Sequence, residues 1–332
     1  MKKIFYLYSA IVLAFIAITY SCKKSTVGFL SPYVHYEQNP IKVPKGRTFL
    51  SSALNPDGSS MPFTATVVHY YNKANGQIVD SLFNKKFPVQ IFTGYIDPKK
   101  DTSFQQIISF LKTEYLPAVT ILPNSGQVSA NSGALYLPAG EYQYDLRITN
   151  EAGTKVYPKI GDFILADTTT FDAVPAIGST SETRILVGNE SKSSVGQHPL
   201  LTITRVADTP NIITVVYKDK NGTPWNPQAG EVVSRPAAGL NPIPPYLQSL
   251  QEYTSSYYYT STSSVFRFPL VPFPLNTLGN GFNIYQRIPA KYVSNDGLPE
   301  GAYTLNLRFP IRIYVPGSYL VVEQSIDATR VP

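Results

Sequence analysis

What most constrains this chain is its punctuation, in which short runs of β-branched and aromatic residues end again and again at glycine, proline or asparagine turn signals. The run Thr64-Ala65-Thr66-Val67-Val68-His69-Tyr70-Tyr71 reaches Asn75-Gly76 and returns through Gln77-Ile78-Val79-Asp80. Ile212 to Tyr217 reaches Asn221-Gly222 in the same way. Asn-Gly suits the positive φ angles of a tight hairpin turn. Further strands are expected at 89–93, 142–149, 162–166, 200–206, 264–270, 303–309 and 311–315. Two segments read differently. Residues 102–116 place Phe104, Ile107, Ile108, Leu111 and Tyr115 on one helical face, with Asp101 or Thr102 as cap and Pro117 as stop, and a shorter helix is expected from Pro245 to Tyr253. With 24 Tyr, 17 Phe and 28 Pro in 332 residues, strands and rigid loops should dominate over long helices.

One phrase occurs twice. Leu137-Pro138-Ala139-Gly140-Glu141-Tyr142 through Leu146-Arg147 matches Leu298-Pro299-Glu300-Gly301-Ala302-Tyr303 through Leu307-Arg308. Proline and glycine turn the chain, and the tyrosine and the aliphatic positions after it then alternate onto one pleated face. The repeat predicts two β-domains of related design. The Asn-Gly pairs at 75 and 221 lie closer together than the Leu-Pro pairs at 137 and 298, so the second half carries extra residues, placed in the Pro- and Tyr-rich stretch from Pro236 to Pro274. A linker is expected near 166–182 and a polar loop at 188–198. The expected fold is mainly β: two tandem β-sandwich (immunoglobulin-like) domains with one or two short helices. The expected division is a signal peptide at 1–21, a lipidated tether or first strand at 22–47, a β-sandwich at 48–170 and a second β-domain at 171–332 with its insertion near 236–274.

The single cysteine excludes an intrachain disulfide and a Cys-based zinc site. Its position points elsewhere. Lys2 and Lys3 precede an apolar run from Ile4 to Ile18, and the small residue Ser21 stands directly before Cys22. Ile18-Thr19-Tyr20-Ser21-Cys22 resembles a bacterial lipobox of the looser kind seen in Bacteroidetes, which implies acylation of Cys22. Two or three acyl chains, each contributing about 0.8 kcal/mol per buried CH₂, hold a protein on a bilayer without a spanning helix. Together with Gly28-Phe29-Leu30-Ser31-Pro32, Asn39-Pro40, Ser125-Gly126-Gln127 and Leu137 to Tyr142 through Asn150-Glu151-Ala152-Gly153, this start is similar to Bacteroidetes outer-membrane lipoproteins of unknown function. The resemblance covers mainly residues 1–165. It implies an immunoglobulin-like front domain, outer-membrane attachment and, by association with glycan-capture lipoproteins, a role at the envelope; it carries no site residues. Exported surface members tend to be acidic after the cysteine, whereas Lys23, Lys24 and Ser25 follow here, so the cell surface and the periplasmic face both stay open.

Loss of Lys2 and Lys3 with the signal peptide lowers the net charge from +6 to +4. The longest basic runs are pairs, without interleaved aromatics, so nucleic acid is not an expected partner. His35, His69 and His198 lack metal-ligand spacing, and no nucleophile elbow, phosphate loop or His-Glu-x-x-His helix occurs. No metal or other cofactor is expected. Carboxylates that could pair for glycoside hydrolysis include Asp145, Glu231, Glu252, Asp296 and Glu300, although each reads first as a surface group.

The aromatics are the sharper signal. Trp225, the only tryptophan, sits in Thr223-Pro224-Trp225-Asn226-Pro227, and Tyr246, Tyr253, Tyr257, Tyr258 and Tyr259 crowd the proposed insertion. A ring held on a rigid loop can stack on the C–H face of a sugar while polar neighbours bond its hydroxyls. Packing of Trp225 on its own sheet and of the tyrosines in the core is the competing reading. The expected function is a non-catalytic envelope lipoprotein that binds glycan through Trp225, Tyr246, Tyr253, Tyr257 and Tyr258. The alternative is a structural or assembly component docking to another outer-membrane protein, and the third is a glycoside hydrolase with paired carboxylates.

Overall fold

The computed structural model describes residues 28–95, 97, 100, 104–173, 180–235, 250–274 and 283–332. It is mainly β, and its sheets form two immunoglobulin-like β-sandwiches, each around its own hydrophobic core.

In the front sandwich, β1 (Ile41–Pro44), β9 (Gly153–Ala166), β8 (Gly140–Asn150) and β3 (Thr64–Asn72) form one sheet in that order. β1 runs parallel to β9 and the other pairs are antiparallel. The facing sheet is β2 (Phe49–Leu50), β7 (Val128–Ala130) and β6 (Val119–Ile121). This is the strand partition of an immunoglobulin fold, including the hydroxyl of Tyr142 bonded back to the carbonyl of Pro138 at the start of β8 (3.0 Å). Between the sheets pack Tyr70, Phe83, Tyr142, Tyr144 and Phe163, with ring centroids 4.6–6.5 Å apart. Gly161 makes room for one of them, since a Cβ there would lie 2.3 Å from the Tyr144 ring. Within the segment expected as tether or first strand, Ile41–Pro44 is a strand, and the described chain from Gly28 onward packs on this sandwich through bonds such as Phe29 N–H to Ser60 Oγ.

The helix expected at 102–116 is replaced by a short helix and a strand. Phe104–Ser109 forms α2, following α1 at Asp80–Asn84, and β5 (Leu111–Pro117) then pairs with β4 (Lys86–Phe92) over seven residues. Thr113 and Tyr115 favour extended backbone, and a seven-residue ladder to β4 outweighs the local helical spacing. Tyr115 is accordingly exposed.

The back sandwich stacks two five-stranded sheets. One runs β12 (Ser193–Val195), β11 (Ser181–Leu186), β20 (Tyr303–Pro310), β18 (Asn283–Ile288) and β15 (Val233–Ser234). The other runs β13 (Leu200–Ala207), β22 (Ser318–Gln324), β14 (Ile212–Lys218), β17 (Ser264–Arg267) and β16 (Ser256–Tyr259), with β14 and β22 parallel. β10 (Phe171–Asp172) pairs with β21 (Arg312–Ile313), and β19 (Val293–Asn295) pairs with β23 (Ala328–Arg330). Three expectations change here. The loop at 188–198 contains β12, β17 is an internal strand of a sheet although it falls in the stretch read as an insertion, and Leu250–Tyr253 is a 3₁₀ turn, residues 245–249 lying outside those described.

Both copies of the Leu-Pro phrase lead into a strand with neighbours on both sides, and both place alternate residues inward: Tyr142, Tyr144 and Leu146 in β8, Leu305, Leu307 and Phe309 in β20. The topology around them does not repeat. β8 pairs with β9, the next strand in the chain, whereas β20 lies between β11 and β18 and the chain then crosses to the other sheet. In the back sandwich the tyrosine that bonds back along the chain is Tyr319, to the Val315 carbonyl (2.6 Å). The phrase marks a common way of starting a strand, and the relation expected between the two halves stops at sandwich architecture.

Candidate functional site

Trp225 is 0% exposed, and its indole N–H donates to the carbonyl of Tyr292 (3.0 Å). It belongs to the back core with Tyr217 and Val293, so the proline-rich segment serves to drive the ring inward and leaves no face for a ligand. Tyr257 (51%) and Tyr258 (60%) are exposed on the edge strand β16. Cross-strand register puts Tyr257 opposite Phe266 and Tyr258 opposite Val265, so the two rings face opposite sides of the sheet and do not make one platform. Tyr246 and Cys22 lie outside the described residues, as does the side chain of Tyr253.

The expected carboxylates have separate structural tasks. Asp145 accepts from the hydroxyl of Tyr71 and from the N–H of Lys159, which has a positive φ of 49° at the irregularity between β8 and β9. Glu231 takes both ends of the Arg330 guanidinium (2.6 and 2.7 Å), and Asp296 pairs with Lys220. Glu300 is exposed, and the side chain of Glu252 is outside the description. His69 meets Asp80 at 2.8 Å, and His35 and His198 meet backbone carbonyls. Among the described residues no group of three or more His, Cys, Asp or Glu is placed to hold a metal ion.

A cleft of about 330 Å³ opens between the two sandwiches. Its front wall carries Thr48, Gln90, Ser132 and Tyr136, and its back wall carries Asp208, Thr209, Asn211 and Leu270. Tyr136 is the feature that stands out. It ends the 3₁₀ turn Ser132–Tyr136, whose start is capped by Asn131 Oδ1 accepting from Gly133 N–H. A Cβ on Gly133 would lie 2.8 Å from Phe87 Cβ, so only glycine lets this turn settle on β4. Tyr136 then stacks on buried Phe87 at 5.6 Å and 14° between ring planes, and it remains 55% exposed.

The back wall is fastened by backbone. Asn211 Oδ1 accepts from Gly317 N–H, Ser318 Oγ donates to the Pro210 carbonyl, and Phe268 N–H donates to the Asn211 carbonyl. Arg205 donates twice to the Pro316 carbonyl and pairs with Asp208 at 2.7 Å. Gly317, at φ 141°, is required because a Cβ would fall 2.4 Å from the Ala207 carbonyl oxygen. The two walls are joined beside the cleft by Arg47, which donates to Thr169 and lies 4.0 Å over the ring of Tyr314, and by the Tyr314 N–H to Thr170 carbonyl bond. The result is a small cleft at a domain junction with an aromatic plane on one side and carboxylate, amide and hydroxyl groups on the other, the position and composition favoured for small-molecule binding.

No single residue of this cleft carries a motif, which is why the sequence did not single it out. One signal was present: Tyr136 stands directly before the first Leu-Pro phrase, and Asp208-Thr209-Pro210-Asn211 is a turn cluster between two β-runs.

No protein-family model matches the chain, and no curated protein matches its sequence. Among solved structures it is similar to the C-terminal domain of the AgI/II polypeptide BspA from Streptococcus agalactiae, with 12% identity over 90% of this chain and 98% of that one and a TM-score of 0.14. A structure named BspA_C_WT gives 12% identity, 90% and 99% coverage, and a TM-score of 0.12. Likeness at this level carries no argument about fold or function.

Proposed function

We propose that this protein is a non-catalytic envelope lipoprotein that captures glycan in the cleft between its two sandwiches. The observation that carries the reading is Tyr136, a ring supported on one side by Phe87 and open on the other, opposite Asp208, Thr209 and Asn211. The open plane suits the C–H face of a pyranose, and the opposite wall suits its hydroxyls. Both walls are held by hydrogen bonds that do not involve a ligand, so little ordering is required on binding. Membrane attachment is proposed through Cys22, on the strength of the signal-peptide pattern and its resemblance to Bacteroidetes lipoproteins.

A glycan panel read by affinity electrophoresis tests this. Retardation on at least one glycan is expected, weakened tenfold or more by Tyr136→Ala, which is about 1.4 kcal/mol of binding. Binding that depends on Tyr257 or Tyr258 and not on Tyr136 would move the site to the β16 edge. If no glycan binds, the reading falls and an assembly role takes its place, for which β16 offers a strand edge that, among the described residues, has a neighbour on one side only.

A further inference from the structure

Cys22 and Gly28 are six residues apart, a span of at most about 20 Å when fully extended. Whatever surrounds Gly28 is therefore held close to the bilayer once Cys22 is acylated. Residues 29–35 run antiparallel to 55–60, joined by Ser60 N–H to the Phe29 carbonyl, Ser31 N–H to Ser59 Oγ and Asn55 N–H to the His35 carbonyl. These paired segments and the residue that follows the second carry three large apolar side chains in water: Phe29 (52% exposed), Tyr33 (75%) and Met61 (58%). Side-chain hydrogen bonds hold them in place, since Asn150 Nδ2 donates to the carbonyls of both Phe29 and Ser60.

That anchoring also gives a direction. Asn150 is the last residue of β8, and Tyr136 lies just before its first, Gly140. Eleven residues of strand separate the two ends by roughly 33 Å. The apolar patch is thus at one end of the front sandwich and the cleft is toward the other.

We propose that Phe29, Tyr33 and Met61 rest on the lipid surface, with the rings and the thioether at headgroup and upper acyl depth, so that β8 stands the cleft away from the membrane. This rests on acylation of Cys22 as proposed above. An aromatic pair with an aliphatic neighbour is the composition that settles at a membrane interface. Asp57, which accepts from Ser31 Oγ, and Glu151, packed on Gly28, border the patch and set how deep it goes, because carboxylates stay at headgroup level. Lys155 on the adjoining β9 opposes them toward anionic headgroups.

The acylated full-length protein has no free thiol of its own, so a single introduced cysteine is unique. Nitroxide labels on Phe29→Cys, Met61→Cys, Thr209→Cys and Asn221→Cys would be compared by power-saturation EPR in phosphatidylethanolamine/phosphatidylglycerol vesicles. Labels at 29 and 61 are expected to relax several-fold more with oxygen than with a water-soluble nickel chelate, and labels at 209 and 221 to show the reverse. Labelled palmitate incorporation is measured on the same samples. Acylated protein with water-like labels at 29 and 61 overturns the docking and leaves the anchor standing. Protein that takes up no acyl chain overturns both. Phe29→Ser with Met61→Ser, read by a label at Tyr33→Cys, should lose the oxygen preference without losing palmitate.

Discussion

The two sandwiches solve the same packing problem with different chemistry inside. The front core is apolar and aromatic, and its one buried charged residue among those described, Asp145, is fully occupied by Tyr71 and Lys159. The back sandwich buries Glu182, Arg184, Asp219, Glu231, Arg287 and Glu323. Arg287 holds Glu190 with two bonds and Asn306 with a third, and Arg184 bridges Glu182 and Asp327. Glu323 projects inward from β22 beside Tyr217 and is fully buried, with Arg308 the one group nearby that favours its charged form. Burial pushes Glu182 up to about 8, with its hydrogen bond to Asp327 next in weight, and burial followed by repulsion from Glu182 pushes Glu323 well above the carboxylate range. A sandwich fold therefore does not dictate an apolar interior; it requires only that each face be filled and each buried charge be neutralised or paired.

The largest expected effects separate the cores outright. Phe309→Ala in the back and Phe83→Ala in the front, both essentially fully buried, should each cost about 3–5 kcal/mol. Trp225 is the single tryptophan and sits in the back core, so its fluorescence reports that core while circular dichroism reports both. Urea titration should show Phe309→Ala shifting the fluorescence transition and Phe83→Ala leaving it in place. If both variants shift it equally, the sandwiches unfold as one unit and the comparison loses its thermodynamic meaning.

Acidity should sharpen the contrast. Glu182 and Glu323 hold protons in the folded protein that the unfolded chain releases above about pH 4.5, so their contribution to stability is complete at low pH and is lost as pH rises toward 8. Asp327 and Glu190 act in the opposite sense. Burial raises Asp327, but bonds from Glu182 and Arg184 bring it below its ordinary value, and Arg287 lowers Glu190; both lose their contribution as pH falls through those depressed values. The back core should thus lose a few kcal/mol between pH 5 and 8, and Glu323→Gln should flatten the profile, stabilising more at pH 8 than at pH 5. A fluorescence-monitored pH series that Glu323→Gln leaves unchanged would remove this glutamate from the account.

The smallest effect concerns what the sandwiches share. Tyr142→Phe deletes the bond to the Pro138 carbonyl, Tyr319→Phe deletes the bond to the Val315 carbonyl with a longer contact to that of Thr170, and each should cost about 1 kcal/mol in its own core. Equal costs would show that the same corner device serves both topologies, even though only Tyr142 belongs to the repeated phrase.

Much of this was readable in one dimension because strand and turn signals are local. Gly76 and Gly222 take the positive φ angles (71° and 83°) that the Asn-Gly pairs announce, and alternation along 142–148 and 305–309 places inward the residues that periodicity selects, Tyr303 alone staying half-buried. Residues 102–116 were misread for the same local reason: an apolar spacing that fits a helix says nothing of β4, which lies elsewhere in the chain and offers a ladder. The aromatic reading failed at Trp225 and did not reach Tyr136, because exposure of a ring is set by what packs against it.

The amino-acid sequence by itself determined the β class, the position of the turns, the inward face of the phrase-bearing strands and the single acylation candidate, since each depends on residues within a few positions of one another. Only the tertiary structure decided which strands became neighbours, that Trp225 closes a core while Tyr136 borders a cleft, and that the back interior, among the described residues, takes in six charged side chains. Those outcomes depend on contacts between distant segments, whose energies no local pattern encodes.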